Sequence, residues 1–478
     1  MSVSPLLKCL KGIAALTLLV LLILSFSAET LNKAYNKPFW GDEATDIFDT
    51  ISQNPSDMLM GKIQNQQTGS PFLFIAQHEF LKRVLSRERE LKQGWDWHVS
   101  FRIIPLLSLL LGMLLFTFCL WKESPFIAVL TPIVLSTYGQ TLWYAAETRI
   151  YASWLGASLF LYAISIKLFS YPHLKRYFLP WIFAIILNVG IAITAPLLLG
   201  PLVVLVCAFL IWKREVSFRF HKNLLIQAIL GLCLVFIFFR FWNIRGNNTF
   251  SFANFRESGA FYKRHFLAYG LHMHGGISGF LRLIFATGLL IFVPQKLLNS
   301  HPRRNFYSII GLTIFSQILA GLLIYVLQIG VGYFFAERHV IFILAVRALA
   351  FTACVSLVAE IIIFKIRRMN WTGYKAAVLY SILAIIVLFD WFNWSVKPLK
   401  QNLTAIPEYY TSYCQGPVRI ESLASLPPSS TEWRVEVLRE TNKKRHSGQC
   451  ISPVNAAGNK KTTDAKIIVD YDPRWTYE

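Results

Sequence analysis

Residues 178–212 read FLPWIFAIILNVGIAITAPLLLGPLVVLVCAFLIW and contain no charged residue. An α-helix crosses the hydrocarbon core of a bilayer with about 20 residues, so this run is nearly long enough for two crossings. Thr194-Ala195-Pro196 in its middle favours a turn, because proline disfavours the helical conformation of the residue before it. The run therefore predicts a hairpin of two membrane-spanning helices and, with it, a membrane-embedded protein.

Apolar runs of this kind recur along the chain. Hydrophobic residues make up 55% and charged residues 15% of its 478 residues, whereas about a quarter of the residues of a soluble protein are charged. The runs predict an all-α polytopic membrane protein with about eleven transmembrane helices. Their approximate ranges are 13–26, 100–120, 125–142, 150–168, 178–194, 197–212, 223–242, 277–293, 305–328, 340–364 and 374–394. We interpret the first as a signal anchor, although the small residues at 25–28 also fit a cleaved signal peptide.

Basic residues distinguish the two ends of these helices. The short loops on one side carry many lysines and arginines, against only Glu123 and Glu215. The positive-inside rule places these loops in the cytoplasm, which predicts a cytoplasmic N-terminus, an extracytoplasmic C-terminus and two long outer loops, 29–98 and 243–276. The basic residues concerned are Lys122, Lys167, Lys175, Arg176, Lys213, Arg214, Arg219, Lys222, Lys296, Arg303, Arg304, Lys365, Arg367 and Arg368. Topology and lipid contact thereby explain the net charge of +21, and no nucleic-acid partner is predicted.

The first outer loop contains GDEATDIFDTI, residues 41–51. If this stretch is helical, its apolar residues from Ala44 to Ile51 share one face, which suits a membrane surface. Asp42 then stands at the helix N-terminus, where the helix dipole favours an ionised carboxylate. Asp42 and its neighbour Glu43 are therefore the candidate catalytic residues, as general base or metal ligand. The alternative is that Asp42 only caps the helix and Glu43 is solvated.

A second polar stretch, Tyr144-Ala-Ala-Glu-Thr-Arg-Ile-Tyr151, lies at the outer mouth between two spans. Ionisable residues near membrane depth are costly and tend to face a cavity or one another, so Glu147, Arg149 and Tyr151 are candidate substrate-binding residues. On a continuous helix Arg149 points away from the other two. Both charges therefore line one cavity only if the junction between the spans is irregular. The alternative is a surface ion pair within an interfacial aromatic belt.

Two further outer stretches supply cations that suit a lipid phosphate. Arg338 and His339 precede the span at 340–364, with Arg347 deeper inside it. The alternative for Arg338 is snorkelling to ordinary headgroups.

The loop 243–276 is long enough for a lid over a substrate. Its candidate substrate-binding residues are Arg256, Lys263 and Arg264. His272 and His274, with no carboxylate beside them, are a weak metal signal, and no metal site is predicted.

Beyond Asp390 the composition becomes polar, with prolines at 398, 407, 417, 427 and 428. Alternating runs that begin at Trp433 and Lys466 predict strands. We therefore predict a transmembrane domain over 1–396 and a small extracytoplasmic α+β or β-rich domain over 397–478. Cys414 and Cys450 fall in the second domain, and the sequence leaves open whether they form a disulfide.

Short motifs along the chain occur in an order that resembles the family-C (GT-C) polytopic glycosyltransferases, and within them the protein mannosyltransferase and aminoarabinose transferase group. The motifs are Trp40-Gly-Asp-Glu-Ala, a surface helix with Gly69-Ser-Pro-Phe-Leu-Phe, Arg102-Ile-Ile-Pro-Leu-Leu-Ser, Glu147-Thr-Arg-Ile-Tyr and Glu337-Arg-His. Together they cover about residues 1–395. The chain departs from the family at Thr68-Gly69-Ser70, where the family often has histidine or aspartate ahead of the surface helix.

The resemblance implies a polyprenyl-phosphate-dependent glycosyltransferase that acts, with inversion, at the outer face of a bacterial inner membrane. Asp42 matches the family's acidic base and Glu43 its partner, while Glu147 or Arg149 matches a second-loop position. Arg338 matches a basic position that suits the lipid phosphate. The acceptor is a lipid, a glycan or a protein. The resemblance names no cofactor, and a divalent cation is compatible with a phosphate leaving group.

Three other functions remain open from the sequence. A transporter or lipid flippase would show charged or broken-helix sites at mid-membrane and an internal repeat, and the sequence indicates neither, since the polar clusters lie at one rim. A polysaccharide polymerase or ligase that uses diphosphate-linked donors would need a similar cationic outer loop. A non-catalytic assembly protein would bind partners through its outer domain.

Overall fold

The structure is a computed structural model, and it describes residues 23–34, 97–171, 175–192, 271–297, 304–330, 337–368, 418–422 and 465–469, with 17, 20, 21, 73, 76, 77, 195, 197, 198 and 200–202. The predicted spans at 223–242 and 374–394 lie outside the described residues. Those at 13–26 and 197–212 are described only in part.

The described part is mostly helical. Residues 23–34 form α1, and the helices that follow are α2 (Trp97–Leu120), α3 (Pro125–Thr137), α4 (Gly139–Ala145), α5 (Ile150–Ser170), α6 (Phe178–Ile191), α7 (Gly276–Leu297), α8 (Arg304–Gly330) and α9 (Ile343–Arg368). Within this part, α2, α5, α7, α8 and α9 are long and apolar enough to cross a membrane, and α3 with α4 makes a sixth span if the bent pair counts as one. The prediction of an integral membrane protein is therefore confirmed, while the count of eleven spans stays a prediction.

The helix α5 is the centre of the bundle, in contact with α2, α6, α8 and α9. Every side chain from Tyr151 to Phe169 is buried. Its closest approach is to α2, where a Cβ added at Gly156 would lie 2.5 Å from the backbone oxygen of Ser108, and one at Gly112 would lie 2.3 Å from that of Gly156. Small residues let two membrane helices pack this closely, because no side chain separates the backbones.

The outer helices present apolar side chains on their free faces. On α2, Leu107, Leu111 and Phe118 are 55%, 56% and 82% exposed, and Leu179 on α6 is exposed as well. A soluble protein rarely exposes so many large apolar residues on one face, whereas lipid tails solvate them without cost. These faces are the lipid-facing surface of the bundle.

Buried polar pairs join the inner helices. The Tyr162 hydroxyl of α5 donates to Oε1 of Gln317 on α8 at 3.1 Å, and Nδ2 of Asn188 on α6 donates to the backbone oxygen of Ala157 at 2.9 Å. A polar group buried in apolar surroundings is costly unless it is hydrogen-bonded, so these pairs fix which helices are neighbours.

A charge cluster closes the end of the bundle that is predicted to face the cytoplasm. Lys167 of α5 pairs with Glu123, which follows α2, and the Tyr171 hydroxyl also donates to Glu123. The Lys167 Nζ atom lies 5.4 Å from the ring centroid of Tyr177. The cluster therefore ties the ends of α2, α5 and α6 together.

Two strands are described in the C-terminal region, β1 (Val418–Ser422) and β2 (Ala465–Val469). They pair in parallel, with Val418 opposite Ala465. The strand predicted at the Lys466 run is confirmed, whereas the one at Trp433 lies outside the described residues. The domain boundary at 396/397 stays a prediction.

Candidate functional site

The span predicted at 125–142 is broken at Tyr138. Helices α3 and α4 meet there at 79°, and Tyr138 itself is extended, with φ −73° and ψ 124°. Just before the break, the hydroxyls of Ser136 and Thr137 donate to the backbone oxygens of Ile133 and Val134, at 2.8 and 2.7 Å. Such back-bonding competes with the helical ladder and bends helices. Broken helices in membrane proteins commonly line binding sites.

The turn from α4 into α5 contains the predicted Glu147 and Arg149. The helix ends at Ala145 and the next begins at Ile150, so the junction is irregular, as a shared cavity for both charges requires. The Tyr144 and Tyr151 rings meet edge to face with centroids 5.3 Å apart, and Arg149 Cζ lies 5.7 Å from the Tyr151 ring centroid.

The same residues do not fit the alternative of a surface ion pair in an aromatic belt. Glu147 and Thr148 are fully buried, and Tyr144 and Tyr151 are 1% and 2% exposed. A carboxyl group is almost never buried in this way without a functional or structural partner. Glu147 therefore belongs to the interior of the site region.

A glycine-rich turn precedes α7. Residues His272–His274 form a 3-10 helix, and Gly275 and Gly276 follow with φ of 91° and 69°, a conformation that other residues rarely adopt. The Gly276 amide donates to the Leu271 oxygen at 2.9 Å. A Cβ at Gly279 would lie only 2.1 Å from the His274 oxygen. The glycines thus let the turn fold tightly against the first turn of α7.

Arg347 of α9 connects this turn to the broken span. It is 3% exposed, and its Cζ lies 5.1 Å from the ring centroid of Tyr138. Its Nη1 reaches the Met273 oxygen at 3.5 Å, and a Cβ at Gly275 would lie 3.5 Å from its Nη2. Arg282 of α7 is near enough for its charge to act on that of Arg347. Arg347 therefore lies against the turn that precedes α7, within the electrostatic influence of a second arginine.

His274 completes this group. It is fully buried, its ring centroid lies 5.6 Å from that of Phe280, and a Cβ at Gly321 of α8 would lie 3.5 Å from its Nε2. Guanidinium groups, an imidazole and a helix N-terminus each favour an anion, and most strongly one with several oxygens, such as a phosphate. The arrangement is suited to holding a phosphate group at the end of the bundle.

Arg102 anchors the segment that leads to the predicted acidic pair. The side chain is 1% exposed, and its Nη1 donates to the Ala34 oxygen at 2.5 Å, at the end of α1. Asp42 and Glu43, which follow α1 along the chain, lie outside the described residues, as do Arg256, Lys263 and Arg264.

The remaining predicted residues lie near the same end. Residues 337–340, which include Arg338 and the half-buried His339, form a 3-10 helix in contact with the turn at 272–274 and with α8. Phe342, just after it, stacks on Trp154 of α5 at 5.3 Å between centroids. Gln77, from the predicted surface helix, donates to Ser108 of α2 at 3.4 Å.

Among the residues that the structure describes, no three His, Cys, Asp or Glu side chains come together as a metal site would need.

Tyr138 was not among the predicted site residues, and Arg347 was noted only as a cation deeper in its span. The available signal was an arginine within an otherwise apolar span, which usually marks a functional position. Nothing local in the sequence indicated that Tyr138 would meet it.

The fold and these contacts define an integral membrane protein with a polar, cationic site at one end of its helices. No protein-family model and no curated protein matches the sequence. Among solved structures, the chain is similar to the crystal structure of ArnT from Cupriavidus metallidurans in the apo state, at 12% identity and a TM-score of 0.46, over 87% of this chain and 84% of that one. Values this low carry no argument about substrates.

Proposed function

We propose that this protein is a family-C glycosyltransferase that moves a sugar from a polyprenyl-phosphate donor to a lipid, glycan or protein acceptor outside the cytoplasm of a bacterium. The motifs that resemble the family support the class of enzyme. The single observation that favours a phosphate-bearing lipid is Arg347, a buried guanidinium against the turn that leads into α7. A cation buried this deeply is costly unless it meets an anion or a cation–π partner.

The reaction has three requirements. An acceptor hydroxyl attacks the anomeric carbon, its proton passes to a carboxylate, and the bond from that carbon to the phosphate oxygen breaks, so that polyprenyl phosphate leaves. In the proposed roles, Asp42 takes the proton with Glu43 beside it. Arg338 and Arg347 stabilise the negative charge that grows on the phosphate.

The other predicted residues would surround the donor. Glu147 and Arg149 lie in the turn between α4 and α5 and Tyr151 lies in the first turn of α5, and the burial of Glu147 and Tyr151 suits contact with a substrate. His339 and the loop cations, which are Arg256, Lys263 and Arg264, are proposed to bind the phosphate of the donor. Membrane lipids surround the lipid-facing surface.

The test is mass spectrometry of the lipids that copurify with the wild type and with Asp42→Asn. A sugar linked to polyprenyl phosphate, enriched in a variant that binds the donor without consuming it, is the expected result. A polyprenyl diphosphate would instead indicate the polymerase or ligase chemistry. Only bulk phospholipid with both proteins would contradict the proposal.

The structure also favours one rival, a lipid flippase or transporter. Its expected marks include a broken helix and a charge within a span, and the chain has both, at Tyr138 and Arg347. Liposomes that contain the purified protein and a fluorescent polyprenyl phosphate distinguish the two functions. Transbilayer movement without transfer to any acceptor would support the flippase.

A further inference from the structure

The broken span, α5 and α9 are joined by a closed series of aromatic contacts. Tyr138 packs on Arg347, Tyr144 of α4 packs on Tyr151 of α5, and Trp154 of α5 packs on Phe342, which immediately precedes α9. The three contacts form a continuous series, because each one involves a residue that lies within a few positions in the sequence of a residue in the previous contact. The three elements therefore meet in one part of the bundle.

Polar side chains face into this region from two sides. Gln140 and Thr141 precede Tyr144 by four and three residues, so on α4 they share the face that meets α5. Trp154 follows Tyr151 by three residues and shares the face of α5 that meets α4. The contact between the two tyrosines therefore places all three residues on the facing sides of α4 and α5.

These three side chains are buried without hydrogen bonds. Gln140 and Thr141 are 0% and Trp154 is 1% exposed. Neither Nε2 nor Oε1 of Gln140 has a hydrogen-bond partner, and the same holds for Oγ1 of Thr141 and Nε1 of Trp154. A buried polar group without a partner destabilises the fold, because it has lost its hydrogen bonds to water and gained none in return. Native proteins seldom keep several such groups side by side unless something else satisfies them.

The donor and acceptor types of these unpaired atoms indicate which groups of a ligand could form hydrogen bonds with them. The set is uncharged and contains donors and an acceptor, which matches the hydroxyls of a sugar ring, since each hydroxyl both donates and accepts. The aromatic rings around them offer flat apolar faces against which the carbon side of a sugar can pack. Arg347 contacts Tyr138, two residues before Gln140, and thereby supplies a cation close to these side chains for a phosphate attached to that sugar.

We propose that Gln140, Thr141 and Trp154 form the subsite for the sugar ring of the donor. This inference rests on the proposed function and adds to it the residues that recognise the sugar. The amide of Gln140 binds two neighbouring hydroxyls, and the indole of Trp154 donates to a third group.

The test compares synthetic polyprenyl phosphate with polyprenyl phosphates that carry mannose, glucose, galactose or aminoarabinose. The Kd of each is measured on the full chain in detergent. The main variant is Gln140→Met, which keeps the shape of the side chain without its amide, and the second is Trp154→Phe, which removes the N–H. Gln317→Met is the control, because Gln317 is also a fully buried glutamine but is hydrogen-bonded within the bundle.

The expected result is a selective loss. In the wild type, at least one sugar-bearing lipid binds more tightly than polyprenyl phosphate, and Gln140→Met and Trp154→Phe reduce that preference about tenfold, as the loss of one or two buried hydrogen bonds predicts. Binding of bare polyprenyl phosphate stays within about twofold, a change worth less than half a kcal/mol. Gln317→Met leaves the preference unchanged.

Two results overturn the inference and leave the proposed function standing. One is a wild-type preference that survives both site variants. The other is an equal loss in Gln317→Met, which would make the effect one of packing. If the wild type binds no sugar-bearing lipid better than bare polyprenyl phosphate, the proposed function itself fails.

Discussion

The guanidinium carbon of Arg347 lies 5.1 Å from the centre of the Tyr138 ring. Arg347 of α9 thus contacts the residue at which the span formed by α3 and α4 is broken. A cation–π contact of this kind is worth about 2 kcal/mol or more when it is shielded from water. It therefore stabilises the broken conformation of the span as well as the position of the charge.

Replacement of Arg347 by alanine should weaken phosphate binding. A charge-assisted hydrogen bond contributes about 1.5–3 kcal/mol, so the Kd for polyprenyl phosphate should rise about tenfold or more, with Arg347→Lys in between because it keeps the charge but not the planar stack. The matched control is Arg176→Ala. Arg176 also lies over a tyrosine, Tyr177, at 4.9 Å, but it is exposed at the other end of the bundle. Equal effects of the two alanine variants would contradict a phosphate role for Arg347.

Arg338→Ala should raise the KM for the sugar donor and also lower kcat, because the residue is proposed to bind the phosphate of the donor and to stabilise the charge that grows on it as the lipid leaves. Steady-state kinetics with the donor identified by mass spectrometry measure this. An unchanged KM would return Arg338 to snorkelling among the headgroups.

Gly156→Ala should destabilise the bundle at the crossing of α2 and α5. The added methyl group would meet the Ser108 oxygen at 2.5 Å, and overpacking of this kind typically costs about 1–3 kcal/mol. Thermal unfolding in detergent should show a lower Tm. Gly288→Ala on α7 is the control, since a Cβ there meets nothing within 4 Å, and it should match or exceed the wild type. A wild-type Tm for Gly156→Ala would mean that the helices are not in this contact.

Lys167→Met should destabilise the opposite end, because it leaves the carboxylate of Glu123 without its cation. Removal of one partner from a buried pair costs about 3 kcal/mol or more, and loss of both partners costs less. The double variant with Glu123→Gln should therefore unfold at a higher temperature than Lys167→Met alone. Donor binding should be unchanged in both, since the pair lies far along α5 from Trp154. A single variant as stable as the wild type would show that the pair contributes little.

The ends of the long helices could be predicted from the sequence. The spans expected at 100–120 and 150–168 correspond to α2 (Trp97–Leu120) and α5 (Ile150–Ser170). Apolar runs stop where charged residues begin, as at Lys122 and Glu123, and the change from lipid to water sets the helix end at the same place.

The site could be predicted less completely, because its geometry depends on contacts between distant parts of the chain. The run at 125–142 has no charge, so hydropathy treats it as one span. The break at Tyr138 can be recognised only from the structure, in which Arg347 of α9 contacts this residue. Likewise, nothing near Gln140 in the sequence indicates that its amide is buried without a partner, since that depends on α5 and α9.

The complete burial of α5 determines where this chain can vary. Phe118 and Leu179 face lipid, where an apolar residue of almost any size serves, so lineages can exchange such side chains freely. From Tyr151 to Phe169 each side chain meets another helix, and a change in one requires a matching change in its neighbour. Divergence should therefore proceed quickly at the rim of the bundle and slowly along its axis, and relatives whose overall identity is low should still share the size pattern of α5.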